Sequence, residues 1–207
     1  MARYSFFSFC YEDVKNFRVN VVRNSWVANN MPDTFIDSSI WEKEKSKGAT
    51  VIKNLIEDGL KKTSVTSVLI GTETAGRRWV KYEIVKSFER GNGLLAIHIN
   101  RIKNKSGQIS SKGLNPLDRL GFQVSKDGKK IHFFELVNRK WQLFPDFPEI
   151  NNKKSNSIYF DDHWWRGNEF GEFFRFSDKF PTYCWKSDEG HSNFSDWIEN
   201  AATKAGR

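Results

Sequence analysis

Apolar and polar residues alternate between two patterns over the first hundred positions of the chain. Residues 3–9 are rich in aromatic residues and strand-like, residues 34–36 offer a short second strand, and the apolar runs at residues 65–70 and 94–99 are typical of buried parallel strands. Apolar residues at helical spacing follow the first three of these segments, at residues 14–26, 51–60 and 80–88. This alternation is typical of βα units stacked into a parallel sheet, so the sequence predicts an α/β fold, with Asp13 as N-cap of the first helix.

Beyond Asn100 the pattern changes to polar loops and short aromatic strands. Residues 122–124 and 131–136 predict a β-hairpin, because Asp127-Gly128 between them supports the positive φ angles of a tight turn. A further strand is predicted at residues 141–144. The second half of the chain is therefore expected to contain antiparallel structure.

The end of the chain is rich in aromatic side chains, especially between residues 158 and 185, and Ser192 is predicted to cap a final helix. We expect residues 1–145 to form the α/β domain and residues 146–207 an irregular, aromatic-rich extension packed on the same domain. The stretch 164–175 allows two interpretations, a surface that stacks on nucleic-acid bases or an aromatic core. Its interleaved acidic residues favour the core, so nucleic acid is not the expected partner.

Composition is consistent with one well-formed core. Of 207 residues, 38% are hydrophobic and 15% aromatic, enough for a core and a small appended one. The excess of 33 Lys and Arg over 25 Asp and Glu gives a net charge of +8, which attracts anions such as nucleotides. Because the basic residues are spread along the chain, general solubility and anion binding both remain open explanations.

Several classes of site lack support in the sequence. Two cysteines, Cys10 and Cys184, and four scattered histidines form neither a disulfide framework nor a zinc motif, so we expect no metal site. There is no Gly-x-Gly-x-x-Gly and no Walker A motif for a redox dinucleotide or ATP. Without a signal peptide or a bilayer-spanning segment, a soluble protein of the reducing cytoplasm is expected, with no membrane partner.

Trp79 and Glu83 mark the most distinctive chemical feature. They lie at i and i+4 near the start of the helix that follows the strand at residues 65–70, so their side chains share one helix face. In open α/β sheets this edge binds ligands. From spacing alone, Glu83 is either a site carboxylate or an exposed helix residue, and Trp79 either a pocket wall or a core residue.

Five segments resemble the TIR-like ThsB family of bacterial Thoeris anti-phage defence. They are Phe6-Phe-Ser-Phe-Cys-Tyr-Glu-Asp13, Arg18-Val-Asn-Val-Val-Arg-Asn24, Arg77-Arg-Trp-Val-Lys-Tyr-Glu83, His98-Ile-Asn100 and Lys112-Gly-Leu-Asn-Pro116. The resemblance covers most of the chain and implies a flavodoxin-like TIR sheet flanked by helices. It also implies an enzyme that cleaves NAD⁺ at the nicotinamide ribosyl bond and releases a cyclic ADP-ribose isomer. NAD⁺ would be the substrate, with no cofactor.

One carboxylate suffices for that reaction, because nicotinamide leaves as a neutral base and needs no proton from a second acid residue. The resemblance implies that Glu83 is catalytic. For substrate binding we predict Phe6, Ser8, Cys10, Tyr11, Arg77, Arg78, Trp79 and Asn115. Phe6 is equally a core candidate, the paired arginines are equally solvated charges, and Asn115 is equally a loop former. Cys10 is not expected to act as a nucleophile, since no base is identifiable beside it.

The resemblance also implies partners beyond NAD⁺. These are an effector protein reached through a diffusible nucleotide signal and a phage-derived trigger, with self-association left open. The alternative is a non-catalytic TIR scaffold for protein–protein signalling. Glu83 distinguishes the two, because a scaffold does not need this carboxylate.

Overall fold

A parallel sheet forms the centre of the part of the chain that the computed structural model describes, which is residues 3–29, 35–37, 48–152 and 170–207. Its strands lie in the order β10-β4-β3-β1-β2. They are β1 (Ser5–Ser8), β2 (Phe35–Asp37), β3 (Val65–Ile70), β4 (Gly93–His98) and β10 (Thr182–Cys184). Every residue of β1, β3 and β4 is buried, which explains why their sequences lack the alternation of a half-buried strand, although five of the buried residues are polar, namely Ser5, Ser8, Thr66, Ser67 and His98.

The strand order creates a switch point between β1 and β3. From β1 the chain moves to one side to form β2, and then to the other side to form β3, so the connections leave the sheet in opposite directions. Ligands in open α/β sheets bind outside the carboxyl ends of strands at such a point. Ser8 ends β1 there and Gly71 follows β3.

Helices cover both faces of the parallel sheet. They are α1 (Tyr11–Lys15), α2 (Arg18–Asn29), α3 (Ala49–Lys61), α4 (Arg78–Arg90), α5 (Phe176–Lys179) and α6 (Gly190–Lys204). One core lies between the sheet and α2 and α6, and includes Trp26, Phe194 and Trp197. The other lies beneath α3 and α4 and includes Phe6 and Phe88.

Two predicted helix caps are wrong. Cys10 rather than Asp13 precedes α1, so Asp13 lies inside the first turn, and Glu189 rather than Ser192 precedes α6. The single helix predicted at residues 14–26 is also divided, because Phe17 adopts a positive φ of 69° between α1 and α2. An aromatic residue in this conformation is uncommon and is not suggested by its sequence.

A second, antiparallel sheet packs outside α4. Its strands are β5 (Leu120–Val124), β6 (Lys130–Val137), β7 (Lys140–Leu143), β8 (Glu149–Asn151) and β9 (Phe173–Arg175). The predicted hairpin is confirmed as β5 and β6, with Gly128 at a φ of 69° in the turn. β9 pairs with β5, whereas β10, only seven residues further along, joins the parallel sheet. Part of the aromatic stretch, residues 158–169, lies outside the described residues.

Helix α4 lies between the two sheets and is held on both sides. Lys81 forms a 2.5 Å ion pair with Glu135 of β6, and both side chains are largely buried. On the same side, the ring of Phe88 stacks on Phe122 of β5 with centroids 5.0 Å apart. The outer face of α4, normally solvated in a two-layer α/β unit, is therefore covered by the second sheet.

The predicted class, an α/β fold with a flavodoxin-like parallel sheet, is confirmed by this architecture. The boundary between residues 1–145 and 146–207 stays a prediction, although β10 and α6 come from the second of these regions and complete the parallel layer. None of the described helices is both long and apolar enough to cross a membrane.

Candidate functional site

The carboxyl end of β1 brings together two residues that lie 75 positions apart in the sequence. The hydroxyl of Ser8 donates a short hydrogen bond to Oε2 of Glu83 in α4. Both side chains are fully buried, so Glu83 is not an exposed helix carboxylate. Because β1 borders the switch point, this contact lies at the edge where α/β sheets bind ligands.

Ser87, one turn after Glu83, fixes this part of α4 against the sheet. Its hydroxyl donates a 2.6 Å hydrogen bond to the backbone oxygen of Glu83 and shares a 2.7 Å hydrogen bond with Thr66 of β3. The carboxylate is thus held in place by contacts to both central strands. Since Glu83 has no exposed surface, a substrate reaches it only when the surrounding elements separate.

The turn after β1 places a second carboxylate at the same sheet edge. Asp13 is 6% exposed, and its side chain lies directly on the α-carbon of Gly71. A Cβ at Gly71 would lie 1.9 Å from Oδ2 of Asp13, so only glycine permits this contact. Burial raises the pKa of Asp13 to about 6, an effect that the nearby Arg18 guanidinium opposes.

Arg77 and Arg78 have different surroundings although they are adjacent. Arg77 forms an exposed ion pair with Glu73 and lies close enough to Cys10 to lower the pKa of its thiol in part. Arg78 donates two hydrogen bonds, of 2.7 and 2.6 Å, to the carboxylate of Asp146. The structure therefore places Arg77 towards the sheet edge, whereas Arg78 connects α4 to the loop after β7.

An open cleft of about 490 Å³ borders this edge, between the segment 72–77 and the side chains of Leu114 and Arg119. Gly113, next to Leu114, lets this loop pack closely on the end of β3, because a Cβ there would lie 1.8 Å from the backbone oxygen of Gly71. Asn115 shapes the same loop: its side chain accepts a 3.0 Å hydrogen bond from the amide of Leu117 and donates one of 2.9 Å to Thr182. These contacts support the loop-forming alternative for Asn115.

The remaining predicted site residues are dispersed. Phe6 is completely buried in the core beneath α4, which agrees with the alternative that it is a core residue. Trp79 is half-buried and packs edge-on against Tyr82, so its packing role is evident and its pocket-wall role stays a prediction. Tyr11 is 37% exposed at the start of α1. Burial raises the pKa of the Cys10 thiol, which disfavours the thiolate that nucleophilic catalysis would require.

Two comparisons with known proteins bear on this site. The family described as Thoeris protein ThsB, TIR-like domain, matches residues 6–104, a segment that contains most of β1 and all of β3, α4 and β4. A Bacillus cereus (strain MSX-D12) protein is 44% identical over 202 residues, covering 96% of this chain and all of the relative. This chain belongs to the TIR-like ThsB family. The relative has the provisional name cyclic ADP-D-ribose synthase ThsB1.

Two buried polar residues of this ThsB-family chain lie at the same edge but were not among the predicted site residues. Arg18 donates hydrogen bonds of 3.0 and 3.3 Å to the carbonyls of Ile102 and Gln108, which hold the loop after β4. His98 ends β4, and burial lowers its pKa. Its Nδ1 has no hydrogen-bond partner. Both residues stand in segments that resemble the family, but the resemblance alone assigned neither of them a role. Among the described residues, no three His, Cys, Asp or Glu side chains are grouped to hold a metal ion.

We predict that Asp13 makes the stability of this ThsB-family chain decrease between about pH 4 and pH 6. An unfolded Asp titrates near pH 3.9, so in this window the native state binds more protons, and the free energy of unfolding falls as the pH rises. The full difference is at most about 3 kcal/mol. Urea unfolding of the wild type and of Asp13→Asn across this range measures it.

In Asp13→Asn this contribution to the pH dependence should be absent, and the variant should be more stable than the wild type near pH 8. The matched control is Glu89→Gln, which removes a partly exposed carboxylate of α4 that pairs with Lys86 and is not among the charges that shift the pKa of Asp13. It should retain the wild-type slope. An unchanged slope in Asp13→Asn would show that Asp13 titrates normally.

Proposed function

We propose that this chain cleaves NAD⁺ at the nicotinamide ribosyl bond and forms a cyclic ADP-ribose isomer, which serves as an immune signal. The observation that supports this most directly is the buried Ser8–Glu83 contact at the switch point of the sheet. The family assignment and the name of the Bacillus cereus relative support the same reaction. A purely structural role would leave a buried carboxylate at a ligand-binding edge without explanation.

Glu83 acts in this proposal as the group that stabilises positive charge. Nicotinamide departs with the electron pair of the C–N bond and is neutral once released, so no acid residue has to protonate it. The ribose carbon left behind becomes electron-poor, and a fixed carboxylate nearby stabilises that charge. Its oxygens also accept hydrogen bonds from the ribose hydroxyls, in the position that the hydroxyl of Ser8 occupies in this conformation.

Ring closure requires a second feature, the exclusion of water. A hydroxyl elsewhere on the ADP-ribose has to reach the ribose carbon before water does, which favours a substrate that is folded and enclosed. The complete burial of Glu83 indicates that the reacting carbon would be enclosed too once the substrate has entered. A site that must open before it binds is also consistent with activity that stays low until a phage-derived trigger arrives.

The proposal is tested by incubating the purified protein with NAD⁺, alone and with lysate of phage-infected cells. Nicotinamide, linear ADP-ribose and cyclic isomers are then resolved by chromatography and mass spectrometry. Cyclic product is the expected result. Linear ADP-ribose alone would indicate a hydrolase, and turnover in neither condition would favour the scaffold function. An effector partner is identified by adding the product mixture to candidate effectors and measuring their activation.

The two arginines should differ in their effect on substrate affinity. Arg77→Ala is expected to raise the KM for NAD⁺ roughly tenfold, because it removes a charge-assisted donor beside the cleft that is placed to meet the pyrophosphate. Arg78→Ala should change the KM by less than about twofold, since Arg78 does not line the cleft and its guanidinium is bonded to Asp146 on another side of α4. Steady-state kinetics of both variants with NAD⁺ measure the two KM values. A larger effect for Arg78 would assign the phosphate contact to it instead.

A further inference from the structure

Arg119 is a cation that lines the open cleft without a carboxylate partner. The cleft, of about 490 Å³, lies between Arg119 and Leu114 on one side and the segment 72–77 on the other. In the part of the chain that the structure describes, the Arg119 guanidinium forms no ion pair and makes one hydrogen bond, from Nη2 to the carbonyl of Leu136 at 2.9 Å. Because a guanidinium has five N–H donors, most of them remain available to a bound anion.

The backbone holds Arg119 in a fixed position beside the cleft. Arg119 follows the short 3₁₀ helix Pro116–Asp118, and its amide donates a 3.1 Å hydrogen bond to the carbonyl of Pro116. Its own carbonyl accepts a 2.8 Å hydrogen bond from the amide of Leu136 in β6, the residue whose carbonyl also holds the guanidinium. A group that is fixed before binding loses less conformational entropy when a ligand arrives. The antiparallel sheet thus presents a preorganised cation to the cleft.

Arg77 brings a second guanidinium to the cleft from a separate segment. It directly precedes α4 and forms an exposed ion pair with Glu73, which lines the cleft too. Exposed pairs of this kind contribute little free energy, so Arg77 exchanges Glu73 for another anion at small cost. Bonds between guanidinium and phosphate are charge-assisted and often bidentate. Two guanidinium groups at one cleft therefore suit a ligand that carries two phosphates.

The remaining lining of the cleft is apolar or small. Leu114 is 63% exposed, and Ala75 and Gly76 belong to the segment after β3. A nucleobase is a flat and largely apolar group that such a surface contacts, whereas inorganic phosphate would leave it exposed to water. The combination of apolar surface and two guanidinium groups therefore matches a ligand in which a base is joined to phosphates.

We propose that the cleft binds a nucleoside diphosphate, with Arg119 and Arg77 as the donors to its two phosphates. The assignment rests on the proposed function, in which this ligand is the ADP half of NAD⁺. Arg77 connects the cleft to the catalytic carboxylate, because it directly precedes the helix whose second turn carries Glu83. Arg119 lies outside the family-matched segment 6–104. The second half of the chain thus supplies a substrate-binding residue.

The test measures the binding of ADP to the purified protein by isothermal titration calorimetry, which needs no turnover. Arg119→Ala should raise the Kd for ADP about tenfold or more, because it removes charge-assisted hydrogen bonds to phosphate. Adenosine, which has no phosphates, should bind more weakly than ADP and equally to both proteins. The matched control is Arg101→Ala, which removes the same charge from an exposed arginine outside the cleft lining. It should change the Kd for ADP by less than about twofold.

Two further variants separate a change in the cleft from a loss of the fold. Glu73→Gln removes the carboxylate that competes for Arg77, so it should lower the Kd for ADP about twofold, a gain that misfolding cannot produce. Gly76→Leu should weaken the binding of both ADP and adenosine, because the new side chain occupies the cleft. The fold should tolerate it, since a Cβ at Gly76 would meet no heavy atom within 4 Å. Urea unfolding of each variant checks this.

An unchanged Kd for ADP in Arg119→Ala would overturn the assignment, and so would absence of ADP binding by the wild type. Equal losses of affinity in Arg119→Ala and Arg101→Ala would also overturn it, because the net positive charge alone would then attract the ligand. The proposed function fails separately. ADP binding that depends on Arg119, in a protein that releases no nicotinamide under any condition, would support the nucleoside diphosphate site and refute the cleavage reaction.

Discussion

Glu83→Gln is expected to lower nicotinamide release from NAD⁺ at least about a hundredfold while leaving the fold intact. Glutamine keeps the shape of the side chain and an oxygen that accepts the hydrogen bond from Ser8, so the packing of α4 against β1 should be preserved. What it removes is the negative charge that stabilises the electron-poor ribose carbon. The measurement is single-turnover nicotinamide release, combined with urea unfolding to confirm the fold.

Glu89→Gln is the control for this substitution, because Glu89 lies on the same helix but is partly exposed and pairs with Lys86 at 3.2 Å. It should retain wild-type turnover. If Glu83→Gln retained turnover as well, the charge of Glu83 would be dispensable, and the burial of this carboxylate would reflect packing of α4 alone. That result would transfer the catalytic role to another group at the same edge.

The parallel half of the fold was predictable because its strands are buried on both faces. The run at residues 65–70 is mostly apolar and matches β3 residue for residue. The strands β9 of the antiparallel sheet and β10 of the parallel sheet were missed, since each is three residues long and its partner lies far away in sequence. No local pattern indicates that β10 pairs with β4, some 85 residues earlier.

The site was predictable as a set of residues rather than as an arrangement. Ser8 and Glu83 were both predicted from the motifs, but their contact depends on the strand order, which brings α4 over the end of β1. Asp13 was singled out for the wrong reason, as a helix cap. Its position on Gly71 follows from the turn after β1 and from the absence of a side chain at residue 71, two features that become connected only in the folded chain.

Phe88→Ala should lower the free energy of unfolding by about 3–5 kcal/mol, a large part of the stability of a typical domain. The ring of Phe88 stacks on Phe122 and meets Phe133, Phe176 and Phe180 edge-on, with centroids between 5.0 and 6.1 Å away. These contacts join α4 to the second sheet. Truncation would leave a cavity that the two packed layers cannot fill. Urea unfolding monitored by far-ultraviolet circular dichroism measures the loss.

Leu143→Ala, in which an exposed residue of β7 is truncated, is the control and should change stability by less than about 0.5 kcal/mol. The shape of the Phe88→Ala transition also tests how the chain is divided. Because α4 contacts both sheets, a single cooperative transition is expected, with its midpoint at a lower urea concentration than in the wild type. Two separated transitions would instead mean that the parallel layer folds without the antiparallel sheet, and that α4, with Glu83, is held by the parallel layer alone.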